Sequence, residues 1–200
     1  MAQDQFKELN IITAAGSIRP GSFTVKALNV VVGELKDRGI STESIDLSAT
    51  QLPFPGIEGN AEEINAVRQK VRNATGVILA TPEYHGSYSS VMKLFIENLG
   101  FPSVLSGKPV ALLGVASGQI GAVKAIEHLR GVCSHVGALV LPGSVSVAGV
   151  NKVFDENGSP TDPVLEKRIK SVATTLLDYI KKHICPQLTI EEMVRHREAV

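Results

Sequence analysis

Five apolar runs of strand length recur along this chain, each followed by a stretch that carries the next strand back across a sheet, and that rhythm admits few folds. The runs fall at residues 9–15, 41–47, 76–81, 109–116 and 138–147. The first, third and fourth are almost unbroken in hydrophobicity, as strands covered on both faces must be. The second alternates, as an edge strand does. Between the runs, apolar residues return at helical spacing. Val25, Leu28, Val31, Val32 and Leu35 mark one helix over 23–38, and Ile64, Val67 and Val71 mark another. Val91, Leu94, Phe95 and Leu99 form a third stripe, and Ile126, Leu129, Val132 and Val136 a fourth. A last helix over 162–182 shows Leu165, Ile169, Val172, Leu176 and Ile180 on its apolar face. The expected fold is α/β: a doubly wound, five-stranded parallel sheet of order 2-1-3-4-5 with helices on both faces. In that order the chain reverses direction between strands 1 and 3, and ligands gather at the carboxyl ends of strands beside such a reversal. The loops after strands 1, 3 and 4 are therefore the ones to inspect.

Residues 16–24, after the first run, read Gly-Ser-Ile-Arg-Pro-Gly-Ser-Phe-Thr. Small residues let backbone N–H groups approach an anion. Ser17, Ser22 and Thr24 offer hydroxyls, and Arg19 offers a planar cationic fork that fits phosphate oxygens. The following helix turns its positive end to the same spot. A triphosphate P-loop needs Gly-Lys-Ser/Thr, and a dinucleotide fingerprint needs three glycines at fixed spacing; this loop has neither. A compact phosphomonoester remains, of which the tail of flavin mononucleotide (FMN) is one example. The third loop runs Thr81-Pro82-Glu83-Tyr84-His85-Gly86-Ser87-Tyr88-Ser89-Ser90, and it holds two of the chain's three tyrosines. Such a surface can lie flat beside an aromatic ring. The fourth, Ser117-Gly118-Gln119-Ile120-Gly121-Ala122, permits close backbone approach at a helix start.

These three segments, together with Lys124, Ala125, Leu129, Arg130 and Phe154-Asp155-Glu156-Asn157-Gly158, resemble the NADPH-dependent FMN reductases of flavodoxin-like fold, including related quinone, azo-dye and chromate reductases. The resemblance covers residues 10–182, so that 1–183 would be the flavodoxin-like reductase domain and 184–200 a C-terminal extension. It implies that Ser17, Arg19, Ser22 and Thr24 hold the FMN phosphate. It also implies that Pro82, Glu83, Tyr84, His85, Gly86 and Ser87 line the isoalloxazine and ribityl side, with Ser117, Gly118 and Gly121 at the pyrimidine end. Three departures stand out: His85 where asparagine is common, Ser89-Ser90 in place of a proline-containing stretch, and Ala122 with Lys124 where glycine and arginine are usual.

The activity so implied is hydride transfer from NADPH, or NADH, through the flavin to a small-molecule acceptor such as a quinone, free flavin, azo dye or metal oxyanion, by ping-pong turnover. The flavin does the chemistry in such enzymes. No side chain is assigned as nucleophile, acid or base; Tyr84 and His85 are the candidates nearest the ring. The alternative is a non-enzymatic, flavodoxin-like electron carrier. Carriers use strongly charged docking faces, whereas twenty basic and twenty acidic residues here cancel.

That balance also argues against a nucleic-acid partner, and no apolar run is long enough for a membrane span. No Gly-x-Ser-x-Gly elbow follows a strand, so a hydrolase is disfavoured. His128 and His135, seven residues apart with Cys133 between them, do not form a metal site. Only Cys133 and Cys185 occur, and the N-terminus has no apolar signal core, which fits a reducing cytoplasm. In the extension, Thr189 and Glu192 have capping-box spacing for a short helix from Ile190, the other reading being a frayed end. The resemblance further implies a homodimer or homotetramer, and the helix over 91–100 with the apolar segment 101–105 is the candidate interface.

Overall fold

Strands β1 (Asn10–Ala15), β3 (Gly76–Pro82) and β4 (Pro109–Val115) form the middle of a parallel sheet, and every residue of β3 and β4 is buried. Their unbroken hydrophobicity has a geometric cause. Ile11, Ile78, Ala80 and Leu113 point to one face of the sheet, while Ile12, Ala14, Val77, Leu79 and Leu112 point to the other. Both sets need apolar cover, since successive side chains alternate across the pleat. The computed structural model describes residues 9–186. Its sheet order is β2-β1-β3-β4-β5, with every pairing parallel. This is the expected flavodoxin-like arrangement.

Two strand boundaries differ from expectation. The run 41–47 yields a shorter edge strand, β2 (Ser41–Ile45). Beyond it Asp46 Oδ1 accepts from the Ser48 N–H at 2.9 Å, an Asx turn that ends the strand. The run 138–147 is two strands, β5 (Leu139–Val140) and β6 (Val145–Val147), laid in succession along β4. Pro142 has no N–H to give the ladder, so the strand breaks around it. Arg130 bridges the break: its Nη1 donates to Leu141 O (3.2 Å) and its Nη2 to Ser144 Oγ (2.7 Å).

Helices α1 (Phe23–Asp37) and α6 (Pro163–Tyr179) cover the Ile11 face. Helices α2 (Ala61–Asn73), α3 (Ser90–Asn98) and α4 (Val123–His135) cover the other. Ser22, Asn60, Ser89 and Asp162 cap their helices by accepting N–H bonds from the first turn. A one-turn helix, α5 (Val150–Val153), follows β6. The final helix starts after its Asp162 cap as expected, but past Tyr179 it widens into a π-turn over Ile180–Ile184. The short helix expected from Ile190 lies outside the described residues. No helix among the described residues is long and apolar enough to cross a membrane.

The end of α2 depends on a residue far along the chain. Lys108 Nζ donates to Arg72 O (2.8 Å) and Ala74 O (2.7 Å), carbonyls the helix itself leaves without partners. Partial burial pulls the Lys108 amine below its ordinary pKa. Lys108→Met keeps the stem and removes the donors. It is expected to lower stability by about 1–3 kcal/mol, read from the midpoint of urea unfolding.

Candidate functional site at the carboxyl ends of β1, β3 and β4

The chain leaves β1 through Gly16, whose N–H donates to Ala80 O at 2.7 Å, so the loop begins as a continuation of the sheet. Ser17 is buried, and Ile18-Arg19-Pro20-Gly21 then turns through solvent. The turn closes with Ser22 N–H on Arg19 O (3.1 Å). Ser22 caps α1 by accepting from Thr24 N–H at 3.2 Å, and its own hydroxyl proton stays free to point outward. Thr24 is buried in the first helical turn, and that turn carries no acidic residue. A cationic fork, hydroxyls and an uncompensated helix N-terminus thus stand together, and this donor set suits a phosphate monoester.

The β3 loop is organised by its backbone. Glu83 N–H donates to Val115 O (2.9 Å), holding the loop against β4. The Glu83 carboxylate turns to α4, where Oε2 accepts from Ala125 N–H at 3.1 Å. That helix begins at Ala122, which has no side chain to cap it, so a carboxylate 42 residues away in sequence serves instead. Residues 84–87 form a tight turn with reciprocal Tyr84–Ser87 backbone bonds of 2.9 and 3.1 Å. His85 (φ +51°) and Gly86 (φ +75°) both sit in the left-handed region, as a turn with two positive φ angles requires. Asparagine and histidine tolerate that region better than most residues, so His85 fits this turn. Ser87 Oγ lies 3.1 Å from His128 Nδ1, tying the turn to α4. Ser89 donates its N–H to Thr81 Oγ1 (3.1 Å) and caps α3 by accepting from Met92 N–H (3.1 Å).

The β4 loop is fastened to β6. Ser146 Oγ accepts from Ala122 N–H at 2.8 Å. Gly121, at φ +80°, passes so close that a Cβ there would lie 2.3 Å from the same oxygen. Gly118 O accepts from Gly149 N–H (3.1 Å), and Ala116 O from Val150 N–H (3.2 Å).

A cleft of about 260 Å³ lies between these loops. Ser17, Arg19, Ser22 and Thr24 line one wall; Pro82, Glu83, Tyr84 and Ser117 line the other. The Arg19 guanidinium carbon lies 5.0 Å from the centre of the Tyr84 ring, so the two walls meet in a cation–π contact. His85, Gly86, Ser87, Gly118 and Gly121 do not line the cleft. They shape the turns that do. The cleft also takes in Val150 and Asn151 of α5, which sequence reasoning missed. The reversal rule directs attention to strands 1, 3 and 4, whereas β6 lies against the carboxyl-terminal half of β4 and brings α5 to the same rim.

Cys133 is not part of this chemistry. It is fully buried in α4, and burial pushes its thiol up to about 12, with Arg130 only partly opposing the shift. The thiolate is the reactive form. Iodoacetamide at about pH 8 is therefore expected to leave Cys133 unmodified in the folded protein and to alkylate it after unfolding, as mass spectrometry would show. Native-state labelling at the rate of a free thiol would contradict this.

A phosphate-suited loop and a cleft walled by Tyr84, both at the strand reversal of a flavodoxin-like sheet, are features that suit a flavin mononucleotide-binding protein. The NAD(P)H:acceptor oxidoreductase FerB of Paracoccus denitrificans shares the fold, with a TM-score of 0.74 at 24% identity over 88% of this chain and 98% of that one. The chain belongs to the NADPH-dependent FMN reductase family, whose model matches residues 9–152. It is 29% identical over 181 residues to an NAD(P)H-dependent FMN reductase of Pseudomonas aeruginosa, covering 88% of this chain and 97% of that protein. It is 31% identical over 137 residues to a 2-hydroxy-1,4-benzoquinone reductase of a Burkholderia species, covering 66% and 74%. FMN is the family's cofactor and a nicotinamide nucleotide its reductant.

Proposed function

We propose that this protein is an FMN-dependent quinone or flavin reductase that takes hydride from NADH or NADPH, with the cleft described above as its active site. The reading is carried by one observation: the Arg19 loop and the Tyr84 turn share a single cleft, within cation–π contact of each other. Arg19, Ser17, Ser22 and the N-terminus of α1, with Thr24 in its first turn, hold the phosphate. Pro82, Tyr84, Ala116 and Ser117 form the slot for the ring, and Asn151 adds an amide at its rim. Bound FMN supplies the relay of hydride between donor and acceptor. The protein's own part is to orient two stacked rings, to exclude water and to present N–H groups where negative charge gathers. Donor and acceptor use the same opening in turn, which is ping-pong kinetics. Glu83 keeps α4 in place and moves no proton.

Purified protein loaded with FMN should oxidise NADH or NADPH steadily when a benzoquinone or free FMN is added, giving parallel double-reciprocal lines. FMN binding without such turnover would favour a carrier. The 183-residue domain is expected to work in the cytoplasm as a homodimer or homotetramer, with residues 184–200 an appendage. Ile96, Val132, Val136 and the fully exposed Phe101 line an apolar groove by α3 and α4 that suits this contact. Sedimentation as a monomer at micromolar concentration would remove that assignment.

A further inference from the structure

A second cavity, of about 410 Å³, opens on the β2 side of the β1 loop, whereas the FMN cleft opens toward β3 and β4. The two share Ser17, Arg19 and Pro20, so the loop is the partition between them. Apolar side chains line the second cavity, and two are conspicuously exposed: Ile18 at 52% and Val25 at 37%. At its β2 end stands Asp46. Oδ1 of that carboxylate accepts from the Ser48 N–H (2.9 Å) and the Ser48 hydroxyl (2.6 Å), which fixes its orientation. The Ala49 N–H also faces this carboxylate and adds to the pull of Ser48.

We propose that this cavity binds the adenosine of a nucleotide, its ribose hydroxyls donating to Asp46 and its base lying against Ile18 and Val25. The chemistry is specific at three points. A vicinal diol gives two donors, and an anchored carboxylate, with acceptor capacity beyond what Ser48 and Ala49 use, accepts them. A flat base needs an apolar wall, and here that wall is open to solvent with nothing described covering it. The 5′-phosphate of a nucleotide bound this way falls toward the Arg19 loop, which both cavities share. The bonds from Ser48 hold the Asp46 carboxyl below its ordinary pKa, so it is charged at neutral pH. A 2′-phosphate on the ribose would meet that charge directly. The site therefore prefers unphosphorylated adenosine, and NADH over NADPH.

This inference rests on the reductase reading only for the source of the adenosine, which is the adenosine half either of the nicotinamide donor or of FAD bound in place of FMN. Calorimetry on FMN-loaded protein, with the phosphate site filled, should detect adenosine and should detect adenosine 2′-phosphate about tenfold more weakly. Asp46→Asn should weaken adenosine about tenfold and close the gap between the two ligands, which is the size expected for one charge-assisted hydrogen bond. Val25→Trp, at an exposed helix position, should fill the cavity and abolish adenosine binding. Neither change should alter FMN affinity. If the source is the donor, Asp46→Asn raises KM for NADH and leaves FAD affinity alone; if the source is FAD, the reverse holds. Failure to detect adenosine, or equal binding by wild type and Asp46→Asn, overturns the proposal. Failure to bind FMN overturns the reductase reading instead and leaves the adenosine result standing.

Discussion

Arg19→Ala is expected to weaken FMN binding by about 1.5–3 kcal/mol, a loss of ten- to over a hundredfold in affinity. The substitution removes the only side-chain cation of residues 16–24, and with it a charge-assisted hydrogen bond to the phosphate. It also removes the contact with Tyr84, so the two walls of the cleft lose their bridge. Arg19→Lys should fall between wild type and alanine. An ammonium keeps the charge but cannot offer two parallel donors, and it stacks less well on an aromatic face. Quenching of FMN fluorescence on titration into the apoprotein measures all three. Equal affinity in wild type and alanine variant would take Arg19 out of the phosphate site.

The second large effect is on stability. Gly121→Ala should lower it by about 2–4 kcal/mol, because two costs add. A side chain at φ +80° is strained by itself. Its Cβ would also lie 2.3 Å from Ser146 Oγ, which accepts the Ala122 N–H at 2.8 Å. The serine must move and that bond is lost or lengthened, loosening the start of α4. For a chain of this size the midpoint of thermal unfolding should fall by about 5–15 °C, as calorimetry would measure. Gly121→Ala with Ser146→Gly relieves the contact but not the strain, and should recover only part of the loss. A single substitution that left the midpoint unchanged would show that the β4 loop is not built as described.

The sheet was legible because its inner strands obey one simple demand. Ile11 and Ile12, or Ile78 and Leu79, face opposite layers of helices, and no polar residue survives at either position. The break at Pro142 was legible in principle, since a proline interrupts a parallel ladder, but the apolar residues on either side of it read as one run. The β1 loop declared its chemistry through residue types alone. The β3 loop did not. That His85 holds a left-handed backbone, and that Glu83 reaches Ala125, depend on an angle and on a meeting of distant segments that no local pattern records. Asn151 was missed for a related reason: its place at the rim follows from how β6 lies along β4.

The bond from Ala125 to Glu83 has a practical consequence for anyone redesigning the enzyme to accept bulkier oxidants. Trimming Glu83 to enlarge the opening would also unfasten the first turn of a neighbouring rod, so one intended edit becomes two. Asn151 sits on the same rim, exposed and outside that linkage, and is the better place to cut.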